Sequence, residues 1–225
     1  MAEKKKVTAT DSDEIIARAQ DFWTRYQKQI TIVLAVIVLG VGGWWGYRNF
    51  VVAPRAEKAF DAMFKAEEYY RMDSLQKALN GDGINWGFTR IIREYGSTKA
   101  GSLARLYAGD CYLRLGDFNN AVKHLKEYSS PAKNYQARAY KLLGDAYSEL
   151  GRNDDAISSY KKASNHFPED RYSSAEALFF AAQLSNSLGK NKEAIDLYKE
   201  VKEKFYDTPF ANDADKSLAR LGQYN

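Results

Sequence analysis

Residues 142–164 read LLGDAYSELGRNDDAISSYKKAS, and the spacing inside this stretch decides the fold. Up to Leu150 the small and apolar residues recur every three or four positions, the period of one helix face. Gly151 then interrupts, and Asp154 and Asp155 open a second periodic run through Ala156, Tyr160 and Ala163. A helix, a left-handed glycine turn and a second helix make an antiparallel hairpin. The pattern occurs 35 residues earlier in LYAGDCYLRLGDFNNAVKHLKEY (106–128), with Gly109 on Gly144, Tyr112 on Tyr147, Leu115 on Leu150, Gly116 on Gly151, Ala121 on Ala156 and Leu125 on Tyr160. It returns in FFAAQLSNSLGKNKEAIDLYKEV (179–201), where Leu188, Gly189, Ala194 and Tyr198 lie 38 residues beyond Leu150, Gly151, Ala156 and Tyr160. The three extra residues fit between helices, near PEDRYSS (168–174). Such units cannot bury a core singly and must stack.

These residues resemble the tetratricopeptide repeat family, whose unit is a helix-turn-helix of about 34 residues. The copy 137–170 carries Leu143-Gly144, Tyr147, Gly151, Ala156, Tyr160, Ala163 and Pro168 at the family's signature positions. The first copy has Tyr128 for the later alanine and its proline displaced to Pro131; the third has Ala182 for the first glycine and Ser185 for the tyrosine. Gly144 and Ala156 are small enough for two helices to approach closely, and Tyr147 and Tyr160 fill the space between neighbouring repeats. Pro168 stops the second helix. Residues 55–96 form a diverged leading repeat, with an amphipathic helix from Pro54, a bend near Met72–Ser74, a break at GDG (81–83) and a shorter helix in NWGFTRIIREYG. Residues 210–224 supply a closing helix over the last apolar face.

Ahead of the repeats, QITIVLAVIVLGVGGWWGY (29–47) holds 19 residues without a charge. As a helix it measures about 28 Å, close to a bilayer's hydrocarbon core. Trp44, Trp45 and Tyr47 at one end and Trp23 and Tyr26 at the other suit the two membrane-water interfaces. A cleaved signal peptide has a shorter apolar region ending in small residues. A lipoprotein needs a cysteine directly after the run, and a core helix of a small soluble domain needs a polar face to meet water, and neither is present. One spanning helix over 29–53 is expected, with Gly42 and Gly46, four residues apart, as its face for packing on another membrane helix. Lys4, Lys5, Lys6, Arg18, Arg25 and Lys28 before the span outnumber Arg48, Arg55, Lys58 and Lys65 after it, which favours an N-terminus on the cytoplasmic side. Within the tail 1–28, residues 1–12 have the composition of a disordered segment. From Asp13 a helix is expected whose stripe Ile15, Ile16, Ala19, Phe22, Trp23 and Tyr26 lies against lipid or a partner.

Composition excludes several function classes. The chain of 225 residues has a net charge of +4, and residues 54–225 hold 26 basic against 24 acidic residues, so no single-sign field exists to grip a nucleic acid. One cysteine, Cys111, forbids an internal disulfide and a multi-cysteine metal site. His124 and His166 have no catalytic neighbours in sequence, and HExxH, GxSxG and GxxxxGK[ST] are absent. GDG lacks a calcium loop's carboxylates, and Glu67-Glu68 and Asp154-Asp155 are a solvated pair and a helix start. The reading is of a non-enzyme without cofactor or metal.

The fold expected is all-α: one transmembrane helix, then a tetratricopeptide-repeat solenoid (54–225) of three to four helix pairs near 55–96, 102–136, 137–170 and 175–208, and a capping helix at 210–224. In that family the first helices line a concave groove. Alignment puts Leu103, Leu106, Asp110, Leu113, Arg114, Arg138, Lys141, Asp145, Ser148, Glu149, Glu176, Phe179, Gln183 and Asn186 there, leucines and Phe179 with mixed charge, which suits an extended or helical peptide. The whole arrangement is similar to the bacterial YfgM-like membrane proteins. That resemblance implies a repeat domain facing the periplasm and, as partners, SecYEG translocon subunits and a periplasmic chaperone or client polypeptide. An envelope scaffold for cell division or outer-membrane assembly and a cytosol-facing adaptor are the competing functions.

Overall fold

A computed structural model describes residues 9–223 of the chain. The disorder expected of residues 1–12 falls largely on residues outside the described ones, as does Tyr224 of the closing segment; residues 9–12 are helical. The chain divides into two units, Met1–Pro54 and Arg55–Asn225. All regular structure among the described residues is helical.

The first unit holds α1 (Ala9–Tyr47) and a π-helical turn, Arg48–Val52. α1 is the one described helix long and apolar enough to cross a membrane, and no residue of the run 29–47 is buried. The π turn, closed by the Ala53 N–H donating to the Arg48 carbonyl, immediately precedes Pro54. A proline ring clashes with the carbonyl four residues back, and a widened turn moves that carbonyl aside.

In the second unit the helices are α2 (Ala53–Arg71), α3 (Leu75–Asn80), α4 (Phe88–Tyr95), α5 (Lys99–Arg114), α6 (Phe118–Glu127), α7 (Lys133–Glu149), α8 (Asn153–His166), α9 (Arg171–Ser187), α10 (Asn191–Lys204) and α11 (Pro209–Arg220). The pairs α5–α6, α7–α8 and α9–α10 are the three hairpins, and α11 packs on α10 and α9. The leading segment is three helices rather than one hairpin. α2 ends where Asp73 takes a φ of 59°, and α4 starts only after a loop containing Gly81 and Gly83, both at positive φ.

Each hairpin turns through the same geometry. Gly151 has φ 69°, its N–H bonds the Ser148 carbonyl at 2.9 Å, and the Arg152 N–H reaches back to Tyr147 O at 2.9 Å. This double closure satisfies the carbonyls that the last turn leaves free, and a left-handed residue completes it without strain only when it is glycine. Gly116 and Gly189 repeat it. Two of the starts, those of α6 and α9, carry side-chain caps: Asp117 accepts from Asn120 N at 3.2 Å and Asp170 from Ser173 N at 3.1 Å.

Close packing inside the hairpins explains the small residues. A Cβ on Gly144 would meet the Tyr160 ring at 2.6 Å, and one on Gly109 the Leu125 side chain at 2.5 Å. Tyr160 in turn stands edge-on to Phe180 of the next hairpin at 5.9 Å. Two apolar clusters result. One gathers Ala59, Met63, Ala66, Leu79, Phe88 and Ile91 with one face of α5, Ala100 to Cys111; the other runs from Leu106 through the three hairpins to Leu218. Leu103 and Tyr112 touch both.

Candidate functional site: a polar cleft on the first helices

α5, α7 and α9 are the first helices of successive hairpins, and their exposed sides carry the residues expected in the groove. Three of those, Leu106, Asp110 and Phe179, are buried, and two of the three are apolar. Leu106 is fully buried and Phe179 is 7% exposed, with the Phe179 ring 5.6 Å from Tyr198 and 5.7 Å from Phe210. Each precedes by three residues the small residue, Gly109 or Ala182, that faces the second helix, so both share that inward face. Lys141 holds the same register in the middle hairpin, but its long stem carries the ammonium outward. Leu103 and Leu113 are half-buried against the core. The apolar contact surface expected of the leucines and Phe179 is therefore largely spent inside the protein.

What remains is a set of linked polar groups. Asp110 is buried, with 6% exposure. It accepts hydrogen bonds from the Tyr70 hydroxyl and, at 2.7 Å, from the Arg138 guanidinium, which also donates to the Tyr70 oxygen at 2.9 Å. This clasp joins α2, α5 and α7. Burial, reinforced by the Asp110 hydrogen bond, raises the Tyr70 pKa and keeps the phenol protonated. One turn further along α7, Lys141 lies 3.3 Å from Asp145 and 3.9 Å from Glu176 of α9. Asp145 accepts from the Tyr160 hydroxyl at 2.8 Å, so the residue that fills the gap behind Gly144 also orients a carboxylate in front. Arg114 pairs with Asp73 at the break between α2 and α3. Ser148 is half-buried, and Glu149, Gln183 and Asn186 are exposed.

Asp110, Arg138, Lys141 and Glu176 converge on a cleft of about 590 Å³, which Asn134, Tyr135, Asp170 and Ser173 also line. Those last four, and Tyr70, lie outside the sequence-derived set. Asn134 and Tyr135 sit one turn ahead of Arg138 on α7, so extending the aligned face toward the helix start reaches them. Tyr70 belongs to the irregular leading segment, where no repeat register points to it. Fixed donors and acceptors of both signs can bind a polypeptide through its backbone and polar side chains.

The other chemistry-bearing side chains are packed. Cys111 is fully buried and burial pushes its thiol up to about 12, far from a reactive thiolate. His124 stacks on Tyr112 at 5.3 Å and is held neutral by burial. His166 ends α8, edge-on to Tyr140 at 5.5 Å.

Residues 20–137 match the tetratricopeptide repeat-like domain family and residues 141–212 a tetratricopeptide repeat family. The first match begins ahead of the apolar run and takes in α1 from residue 20 onward. No match to a curated protein is found. Repeats of this kind form protein–protein interaction scaffolds. Hairpins closed by Gly116, Gly151 and Gly189, helices meeting at Gly109 and Gly144, and two family matches that together cover most of the chain lead to one assignment: the chain belongs to the tetratricopeptide repeat-like domain family.

Proposed function

We propose that this protein is a single-pass membrane scaffold, an accessory of the SecYEG translocon with its N-terminus in the bacterial cytoplasm and its repeat unit in the periplasm. The anchor rests on one observation: the uncharged run 29–47 is helical and none of its residues is buried, while the repeat unit has cores of its own. A helix apolar on every side is solvated by lipid, not by water. The orientation is supported by the excess of basic residues before the run, and the translocon role by the similarity to YfgM-like proteins. On this reading the span, through Gly42 and Gly46, contacts a membrane subunit of the translocon. The polar cleft takes a periplasmic chaperone or a client polypeptide.

Topology and crosslinking test it together. In a Cys111→Ala background, Ser12→Cys should be shielded from an impermeant thiol reagent in spheroplasts and Gln223→Cys labelled; the reverse pattern would establish the cytosol-facing adaptor instead. A photo-crosslinker at Leu39 or Val41 should capture a translocon subunit and one at Tyr135 a soluble-domain partner. Capture of division or outer-membrane assembly proteins at both positions would replace the translocon with the envelope-scaffold reading.

A further inference from the structure

α1 is helical without interruption from Ala9 to Tyr47, and it contains no proline and no glycine before Gly40. It therefore has no hinge between the charged segment 13–28 and the apolar run. If 29–47 crosses a bilayer, the reading on which this inference rests, residues 13–28 leave the membrane as a stiff rod about 24 Å long. They cannot lie along the lipid surface. Yet Ile15, Ile16, Phe22 and Trp23 are 53–62% exposed and Tyr26 38%. We propose that this stripe is the seam of a parallel pair formed with a second copy of the chain.

The register carries the proposal. Alternating steps of three and four residues from Ile16 give Ala19, Trp23, Tyr26, Ile30, Val33, Ile37, Gly40, Trp44 and Tyr47, apolar or glycine at every position. In the run 29–47 this costs nothing to satisfy. In 13–28 it is selective, because the charged residues Glu14, Arg18, Asp21, Arg25 and Lys28 all fall at the heptad positions turned away from the seam, and only Asp13, at the outer end, flanks it. One pattern thus continues in phase from the aqueous segment into the apolar run. An α-helix drifts by about 20° per heptad against such a pattern, so two copies close it with a left-handed supercoil.

Charge and area favour a second copy as the occupant. The positions flanking the seam in the aqueous segment are Asp13, Ile15, Gln20, Phe22 and Gln27, with Asp13 at the end farthest from the apolar run. In a parallel pair these come side by side, where like charges would forbid self-pairing and opposite charges would select a different partner. From Ile15 onward neither is present. Aromatic side chains carry about 150–250 Å² each; at the exposures above, the three aromatics and two isoleucines of both copies offer at most roughly 1,000 Å² outside the bilayer, the lower bound for a specific interface before the apolar run adds to it. Insertion holds both copies parallel and at one depth, which sets the register in advance. Gly42 and Gly46 lie on the side of the helix opposite the seam, so pairing leaves that face free for another membrane helix.

Disulfide trapping of the full-length chain in native membranes, in the Cys111→Ala background, tests the seam. Ala19→Cys and Tyr26→Cys should give disulfide-linked homodimer at least tenfold above Asp21→Cys and Arg25→Cys. Adding Ala19→Glu to the Tyr26→Cys protein should abolish its homodimer. Equal trapping at all four positions, no trapping, or products containing only a different protein would overturn the proposal. Alkaline extraction of the same membranes reports on the anchor separately. Extractable protein that still shows the three-and-four periodicity removes the spanning reading alone; retained protein without periodicity removes the seam alone.

Discussion

Gly144→Ala places one methyl group at the tightest point of the middle hairpin, and its cost follows from the geometry. The added Cβ would lie 2.6 Å from Cδ1 and Cε1 of Tyr160, where ordinary contact begins at 3.4 Å. The ring must retreat by about 1 Å in a core at crystal-like density, an overpacking that costs about 1–3 kcal/mol. That movement also pulls the Tyr160 hydroxyl from Asp145, 2.8 Å away, a loss of about 0.5–1.5 kcal/mol. Against this, alanine in place of a helical glycine returns about 0.5–1 kcal/mol. The net expectation is destabilisation by about 1–3 kcal/mol, or a melting temperature lower by roughly 4–8 °C at 2 kcal/mol for a domain of this size. The assay is thermal and urea unfolding of residues 55–225 followed by circular dichroism, with Lys192→Ala, on the exposed start of α10, as a control within about 0.5 kcal/mol. In a Tyr160→Ala background the penalty should vanish and leave the helix-propensity gain, a coupling above about 1 kcal/mol. A stabilising Gly144→Ala with the same gain in both backgrounds would refute the close approach of α7 and α8.

Three further outcomes are expected. Arg138→Ala strips the buried Asp110 of its charged partner and should destabilise by about 1–3 kcal/mol in urea unfolding, whereas Tyr70→Phe, which leaves the Arg138–Asp110 pair in place, should cost about 0.5–1.5 kcal/mol. Ser185→Ala should be neutral or stabilising by up to about 1 kcal/mol, because among the described residues the buried Ser185 hydroxyl has no hydrogen-bond partner. Asp82 accepts from the Tyr69 hydroxyl and from the Ile84 and Asn85 amides, which hold its carboxyl well below the usual carboxylate range. Its folded-state pKa being lowered, the loop it ties should stay closed above the ordinary carboxylate pKa and open only as pH falls through the lowered value. Amide exchange at Ile84 and Asn85 would report this, and Asp82→Ala should raise it at neutral pH.

The hairpins were legible because their determinants are local. Gly144 lies against Tyr160 and Gly151 turns left-handed within one repeat, so spacing along the chain gives both. Depth was not legible in the same way. Alignment put Leu106 and Phe179 on the groove beside Lys141, since all three share a register, but whether that register faces core or solvent depends on the next helix. The clasp was out of reach for another reason. Tyr70 and Arg138 are 68 residues apart, and Tyr70 lies in a segment whose break at Asp73 disturbs the repeat period. A positive φ at a non-glycine residue has no signature in composition.

The clasp has a mechanical consequence. If the N-terminal helix anchors the chain as proposed, tension on it would enter the repeat unit at α2, whose buried residues are Met63 and two alanines, Ala59 and Ala66. Repeats unravel from an end, each held only by its neighbour, so α2 would peel first. Tyr70, in its last turn, is tied to Asp110 on α5 and Arg138 on α7. Peeling would therefore stop at a cross-tie loaded in shear across two hairpins, and the polar cleft would be the place where pulling on the anchor is felt by whatever the groove holds.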